Sequence, residues 1–293
     1  MNYNDARLKH QQKSKIFSVQ LGSEFNYLRP FESELVRVGP NGDCGYVIPK
    51  SAAISTRSLY SIGISTNWEF EVELSRLNPG MNINAFDRTS GWHVFGYVAL
   101  RDLLKGDPSV IGGQPLIERI LSFRKFLVLA IRFRSFFRGH RRFSRKWVRV
   151  KKRGNDDVSF NESIVGTFSK SPSMLKIDIE GGEYEFIDDL LRQISENYQK
   201  ISCLIMELHD THTRRADFER LVKGISLWLP IVHVHANNCA GVSADGLPEV
   251  LEITFASAKH ESGSREFPLP HLDFPNDPDI PDISFSFAQT GES

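Results

Sequence analysis

Acidic and imidazole side chains end two stretches of this chain that have the apolar character of buried strands. Asp178 and Glu180 end one stretch, and Glu207 and His209 end another. Residues two apart in a strand share a face, and parallel strands end at one edge of a sheet, so we expect Asp178, Glu207 and His209 to converge. Such a set could bind a hard divalent cation such as Mg²⁺. It could equally supply a general base, for which Asp178 and His209 are candidates.

A third strand end carries two histidines and two asparagines. His233 and His235 are two residues apart and therefore on one face, and Asn237 and Asn238 follow directly. Paired amides suit a polyol or sugar, so we assign Asn237, Asn238 and the nearby Glu180 to acceptor binding. His235 is a further candidate for removing a proton from that acceptor.

A glycine and an acid mark a candidate nucleoside site. Gly63 follows the first predicted strand, and Asp87, 24 residues later, ends the second. An acid at about this spacing suits a ribose diol, so both NAD and S-adenosylmethionine fit. The second and third glycines of a dinucleotide fingerprint are missing, which counts against NAD because a pyrophosphate needs them. S-adenosylmethionine has no phosphate, and one glycine can suffice.

The chain has the alternation that would position these residues. Strand patterns are predicted at 58–64, 81–86, 92–98, 173–179, 201–208, 231–236 and 250–256. Helical spacing is predicted at 70–77, 183–194 and 214–227, and residues 35–49 predict a hairpin around Pro-Asn-Gly-Asp. Strands alternating with helices predict an α/β fold with a mostly parallel sheet and helices on both faces.

Charge is unevenly distributed along the chain. The 293 residues carry 36 basic and 36 acidic side chains, yet residues 119–153 contain 14 Lys or Arg and no Asp or Glu. We predict a basic helical insertion at 115–153. It is either a solvated helix pair with its apolar side on the domain or a contact for an anionic partner such as a membrane surface.

The predicted organisation is an N-terminal leader (1–34), a main domain (35–260) and an acidic, proline-rich tail (261–293) that we expect to be extended and partly disordered.

The longest apolar run, 126–131, is far shorter than the roughly 20 residues of a transmembrane helix. The polar N-terminus is unlike a secretory signal, and three cysteines without CxxC spacing argue against a disulfide framework or a structural zinc site. We expect a cytoplasmic protein, with peripheral membrane contact as a second hypothesis.

Together these segments resemble the FkbM-type S-adenosylmethionine-dependent methyltransferases. The resemblance spreads over most of residues 35–256, and its parts are LVRVGPNGDCGYVIP, LYSIGISTNWEFE, INAFDRT, LKIDIEGGEYEFI, IMELHD, HVHANNCAG and PEVLEITF. It implies a class I methyltransferase (Rossmann-like) sheet with an antiparallel last strand. It also implies transfer of a methyl group to an oxygen, often on a sugar or natural product.

The resemblance further implies roles for individual residues. Gly63 would lie beneath the methionine moiety and Asp87 at the ribose. Asn67 and Glu71 would lie at the amino-acid end of the cofactor. Asp178, with Glu180, would form the acidic motif at the mouth of the active site, and some related sugar methyltransferases use a divalent metal near such acids.

Three functions stay open at this point. The first is an S-adenosylmethionine-dependent O-methyltransferase acting on a sugar, glycan or other small polar acceptor. The second is a metal-dependent transferase or hydrolase using Asp178, Glu207 and His209, and the third is a non-catalytic binding module on the same fold. A nucleic-acid partner is disfavoured because the net charge is zero and no nucleic-acid-binding motif is present.

Overall fold

A seven-stranded, mostly parallel sheet organises the protein. The computed structural model describes residues 18–105, 115–257 and 266–288. The strands of this sheet, numbered along the whole chain, are β4 (Ser58–Ile62), β5 (Asn82–Phe86), β6 (Arg141–Ser144), β9 (Ser173–Ile177), β10 (Ile201–Leu208), β11 (Ile231–Ala236) and β12 (Leu251–Phe255). Their order across the sheet is β11-β12-β10-β9-β4-β5-β6.

The direction of the last strand confirms the predicted sheet. β10, β9, β4, β5 and β6 form, in that order, a run of parallel pairs. β12 runs antiparallel to both β10 and β11. This mostly parallel sheet with one antiparallel last strand is the class I methyltransferase arrangement, and it brings the carboxyl ends of the parallel strands to a common edge.

Helices cover both faces, as the alternation predicted. The helices are α1 (Lys50–Ser55), α2 (Glu69–Leu77), α3 (Trp92–Lys105), α4 (Leu116–Phe136), α5 (Phe160–Ser163), α6 (Ile187–Asn197) and α7 (Arg215–Ser226). Apolar side chains of α1 to α4 pack with one face of the sheet, and those of α6 and α7 pack with the other. Among the described residues, none of the helices combines the length and apolarity needed to cross a bilayer.

The third parallel strand is not where the sequence predicted it. Residues 92–98, predicted as a strand, belong to α3, because Phe95, Ala99 and Asp102 are buried at helical spacing. The third strand is β6, which lies inside the segment predicted to be a basic helical insertion. That segment is helical only in α4 and continues as β6 and β7 (Trp147–Arg149), so part of it belongs to the main sheet.

Two short two-stranded units lie outside the main sheet. β2 (Leu35–Val38) and β3 (Tyr46–Pro49) form the predicted antiparallel hairpin. β7 pairs in parallel with β8 (Asp157–Ser159). Between β2 and β3, the side chain of Arg37 donates to the carbonyls of Pro40 and Gly42, which fixes the turn.

The described parts of the predicted leader and of the predicted tail pack against each other. Within the leader, β1 (Ser18–Leu21) pairs in parallel with β14 (Ser284–Phe287), which also pairs with β13 (Glu266–Phe267). Phe267, Phe285 and Phe287 are buried in the core cluster that also contains apolar side chains of α6 and α7. The expectation of an extended, partly disordered tail is therefore wrong for residues 266–288. Residues 1–17, 258–265 and 289–293 lie outside the described residues.

The packed tail predicts a large stability effect at Phe285. This side chain is 3% exposed, and Phe285→Ala removes most of its buried ring. We expect a loss of about 3–5 kcal/mol in the free energy of unfolding, measured by urea denaturation. Asp279→Ala, at an exposed position of the same segment, is the control and should change it by less than about 0.5 kcal/mol. Equal stability of Phe285→Ala and wild type would mean that the tail does not pack in solution.

Candidate functional site

Asp178, Glu207 and His209 converge at the carboxyl edge of the sheet, as the sequence predicted. Asp178 follows β9, Glu207 is in β10, and His209 follows β10. One potential ligand atom from each of these side chains lies within 4.8 Å of the others. The parallel pairing of β9 with β10 places Met206 opposite Ile177, so the next residues along the two strands become neighbours.

His209 is oriented by a carboxylate that the sequence analysis did not single out. The Nδ1 of His209 lies 3.1 Å from Oε1 of Glu183, whose side chain is fully buried. The same oxygen accepts hydrogen bonds from the backbone N–H groups of Ile179 and Gly181. Glu183 therefore fixes both the turn after β9 and the imidazole. Nε2 of His209 is left facing Glu207 at 3.8 Å and Glu180 at 3.5 Å.

Burial and neighbouring charges shift the pKa values of the groups in this cluster by different amounts. Burial raises the pKa of Asp178 to about 6, although the charges of Lys176 and His209 oppose the shift. Burial and the charge of Asp178 hold the pKa of Glu207 well above its usual range. Burial alone would lower the pKa of His209, but its hydrogen bond with Glu183 and the nearby carboxylates raise it to about 9. At neutral pH we expect Asp178 to be mostly ionised and His209 mostly protonated.

A buried lysine connects the cluster to the loop after β4. Lys176 of β9 is 1% exposed, and its Nζ donates to the carbonyl of Gly63 at 3.1 Å. Its ammonium lies 3.9 Å from Oε1 of Glu71 and 5.2 Å from the ring centre of Tyr46. The hydroxyl of Tyr46 in turn donates to Oδ2 of Asp178 at 3.3 Å. The sequence analysis did not single out Lys176, although a lysine inside the buried strand SMLKI is a signal that could have identified it.

Gly63 packs directly on the backbone of Asp178. Gly63 has a φ of +79°, and a Cβ at this position would lie 1.5 Å from the carbonyl oxygen of Asp178. No other residue type fits, because both the left-handed backbone and the contact exclude a side chain. The glycine is thus required by the close approach of two strand ends, and it puts the loop after β4 against the acidic cluster.

Asp87 holds the loops after β4 and β5 together. Its Oδ1 accepts hydrogen bonds from Thr89 and from the backbone N–H of Ser90. Its Oδ2 accepts one, at 2.7 Å, from the backbone N–H of Ser65. Oδ2 therefore keeps acceptor capacity for one further donor such as a ribose hydroxyl. Ser65 itself is exposed, so the loop opposite Asp87 is accessible.

Two residues implied at the cofactor have partners within the protein. Glu71 is fully buried and accepts a hydrogen bond from the hydroxyl of Ser61 at 2.7 Å. Its Oε2 has no hydrogen-bond partner among the described residues. Asn67 accepts a hydrogen bond from the backbone N–H of Glu69, the first residue of α2. Glu71 supports the buried lysine instead of facing solvent.

The end of β11, which carries the two histidines and two asparagines, contacts the tail. His235 lies 3.4 Å from Glu252 through Nδ1 and 3.2 Å from Asp282 through Nε2, so both ring nitrogens are engaged. Asn238 donates to the carbonyls of Asp277 and Ile280 in the tail. The structure therefore places His235 and Asn238 in contacts that anchor the tail and not beside Asp178.

Asn237 is the member of this strand end that reaches the cluster. Its side-chain amide donates to Oε1 of Glu207 at 2.7 Å, and its own oxygen accepts from the N–H of Cys239. It therefore orients Glu207. Glu180, whose side chain is 89% exposed, stands at the open side of the cluster beside His209.

Comparisons with known proteins give no family for the chain. No protein-family model matches it, and no curated protein matches it. One solved structure, a provisionally assigned methyltransferase from Thermoplasma acidophilum, is 11% identical with a TM-score of 0.31, over 71% of this chain and 70% of that one. Another, precorrin-6y C5,15-methyltransferase from Geobacter metallireducens GS-15, is 14% identical with a TM-score of 0.31, over 76% and 98% of the two chains. Likeness at this level does not define an activity, and the FkbM resemblance stays a prediction.

The pairing of His235 predicts a pH-dependent stability. Burial would lower its pKa, but hydrogen bonds with Asp282 and Glu252 and the charge of Asp273 raise it to about 10. The folded pKa exceeds the unfolded one, so the stabilisation is fully present below about pH 6.5 and is lost as the pH rises towards 10. The loss can reach about 1.4 kcal/mol per pH unit. We therefore expect the free energy of unfolding to fall more steeply between pH 6.5 and 10 in wild type than in His235→Gln. Parallel curves would contradict a charged His235.

Proposed function

We propose that the protein is an S-adenosylmethionine-dependent O-methyltransferase with its reacting centre at Asp178. The observation that carries this proposal is the direct contact between Gly63 and Asp178. It joins the candidate cofactor loop to the acidic cluster at the carboxyl edge of the sheet, where open α/β sheets bind their ligands.

The residues present fit the nucleoside part of this cofactor. The free acceptor capacity on Oδ2 of Asp87 suits a ribose hydroxyl, and the exposed loop at Ser65 leaves space beside it. S-adenosylmethionine, when bound, supplies a methyl group that its sulfonium already activates. The chain has to bind the acceptor, orient its oxygen towards that methyl group and remove one proton.

Asp178 is the residue best suited to accept the proton. We expect its carboxylate to be mostly ionised at neutral pH, and among the described residues Tyr46 alone donates a hydrogen bond to it. His209 is already protonated at this pH, so it suits stabilising negative charge on the acceptor oxygen better than taking up a proton. Glu180 is exposed at the same edge and is placed to accept a hydrogen bond from a polar acceptor, such as a sugar hydroxyl.

A divalent cation is a second way of using the same cluster. The ligand atoms of Asp178, Glu207 and His209 are close enough to share one ion, and their carboxylate and imidazole donors suit Mg²⁺ or Mn²⁺. Such an ion would lower the pKa of a bound acceptor hydroxyl and neutralise the carboxylates. Asn237 would then orient Glu207 as a ligand, and Glu183 would orient His209.

Asp87 should contribute to cofactor affinity. We expect Asp87→Ala to weaken S-adenosylmethionine binding by about 10- to 100-fold in calorimetry, the scale of a hydrogen bond to a charged group. The control is Asp156→Ala, which removes a 65% exposed carboxylate paired with Arg88 in the neighbouring loop. Thermal unfolding of both variants verifies the fold. Wild-type affinity in a folded Asp87→Ala protein would remove Asp87 from the site.

Asp178→Asn should abolish most turnover and leave cofactor binding nearly unchanged. Loss of a general base typically costs about 10²–10⁴-fold in kcat. Glu180→Gln, a matched carboxylate-to-amide change at an exposed position beside the same histidine, should lower kcat by less than about tenfold. Methyl transfer is followed with radiolabelled cofactor and a panel of sugars and glycans.

A chelator distinguishes the two ways of using the cluster. If a cation is required, chelation should reproduce the Asp178→Asn defect in wild type, and added Mg²⁺ or Mn²⁺ should reverse it in wild type alone. If Asp178 acts directly, chelation should leave turnover unchanged. Normal turnover by Asp178→Asn would contradict both mechanisms.

A further inference from the structure

The outward side of α4 is apolar, unlike the surface of most helices in water-soluble domains. Seven large aliphatic residues of this helix are between 37% and 65% exposed: Leu116, Ile117, Ile120, Leu121, Leu127, Val128 and Ile131. At 3.6 residues per turn they fill a sector of about 140°. Ala130 and Phe133, on the other side of the helix, are buried in the core. The exposed apolar sector is therefore additional to the face that packs on the domain.

The preceding helix has exposed apolar residues as well. Tyr97, Leu100 and Leu104 of α3 are 69%, 54% and 65% exposed and lie at helical spacing on one side. The two helices are joined near this end, because Ser122 of α4 donates to Oδ2 of Asp102 in α3 at 2.6 Å. We call the exposed apolar residues of α3 and α4 together the apolar surface. Exposed aliphatic side chains in this number, on two helices that contact each other, are typical of an interaction site.

Basic side chains accompany the apolar surface. Arg124 and Lys125 are exposed near the middle of α4, and Arg134 lies over the ring of Trp92 at 5.0 Å. Among the described residues, no carboxylate lies at ion-pair distance from Arg124 or Lys125. After Glu118 the sequence contains no acidic residue until Asp156. The surface thus combines aliphatic side chains with unneutralised positive charge.

We propose that the apolar surface of α3 and α4 docks on an anionic lipid bilayer. A helix lying in the interface inserts aliphatic side chains among the acyl chains while its Lys and Arg bind anionic headgroups. A second copy meeting this one symmetrically would bring the same positive segment against itself, which is unfavourable. Nucleic acid would use the basic residues but would leave the aliphatic ones in water. The proposal is independent of the methyl-transfer reaction.

The test is flotation of the full-length protein with vesicles. One set of vesicles is phosphatidylcholine alone, and the other is an equal mixture of phosphatidylcholine and phosphatidylglycerol. We expect strong binding to the anionic vesicles and at least about tenfold weaker binding to the neutral ones. Raising NaCl from 0.1 M to 1 M shortens the screening length from ~10 Å to ~3 Å and should release most of the protein.

Two sets of substitutions separate the apolar and the charged contributions. Leu121→Asn with Val128→Asn and Ile131→Asn, which removes apolar surface without adding charge, should abolish binding, whereas Ile54→Asn with Val165→Asn and Leu227→Asn, at exposed sites elsewhere, should not. Arg124→Gln with Lys125→Gln should weaken binding about 25-fold, at about fivefold per basic residue. Arg57→Gln with Arg76→Gln, exposed arginines elsewhere, is the matched charge control. All variants are exposed-site changes, and thermal unfolding verifies their fold.

Three results would overturn the proposal. One is absence of flotation with anionic vesicles. Another is equal binding to both vesicle types, or binding that the apolar substitutions leave intact. The third is sedimentation showing that wild type self-associates without lipid and that the triple variant Leu121→Asn, Val128→Asn and Ile131→Asn is monomeric, which would identify the surface as an interface between copies.

Discussion

The buried ammonium of Lys176 is the interaction on which the candidate site depends. Removing a charge from water costs several kcal/mol unless it is paired and hydrogen bonded. Lys176 is 1% exposed, and it meets this requirement with Glu71, the carbonyl of Gly63 and the ring of Tyr46. Burial would lower its pKa, but the charges of Glu71 and Asp178 raise it, so the side chain stays charged.

That positive charge allows several acids to gather at one edge of the sheet. The charge of Glu207 is disfavoured by those of Asp178 and Glu252, and burial disfavours the ionised form of all three. Lys176 and His209 favour ionisation of Asp178, and His235 favours that of Glu252. The result is one carboxylate available near neutral pH, at Asp178, beside others that are neutral or paired. Such separation of proton affinities is typical of acid–base sites.

The sequence predicted the sheet and the meeting of Asp178, Glu207 and His209 because both follow from local rules. Alternation within SMLKIDI and the apolar run ISCLIMEL mark strands, and parallel strands end at one edge. Residues 92–98 were misjudged because WHVFGYV contains apolar residues that suit either a strand or a helix. Only the packing of Phe95 and Ala99 against the core decides between them.

Other features depend on contacts distant in sequence and could not be predicted locally. β14 pairs with β1, which lies more than 260 residues earlier in the sequence. The three buried phenylalanines of the tail stand in a proline-rich segment without periodic apolar spacing, so no local pattern predicts their packing. The sequence analysis assigned no role to Glu183, yet its carboxylate lies at hydrogen-bond distance from His209, which is 26 residues away. His235 was predicted to act in catalysis because it lies at the end of a strand. Its position in the sequence could not reveal that the carboxylate of Asp282 in the tail lies beside it.

A crystal structure with S-adenosylhomocysteine tests the central claim most directly. The account predicts that the ribose binds at Asp87, that the nucleoside crosses the loop after Gly63, and that the sulfur faces Asp178. Density for the ligand at another edge of the sheet would contradict it. So would a well-ordered crystal soaked at millimolar ligand in which the carboxyl edge contains only solvent.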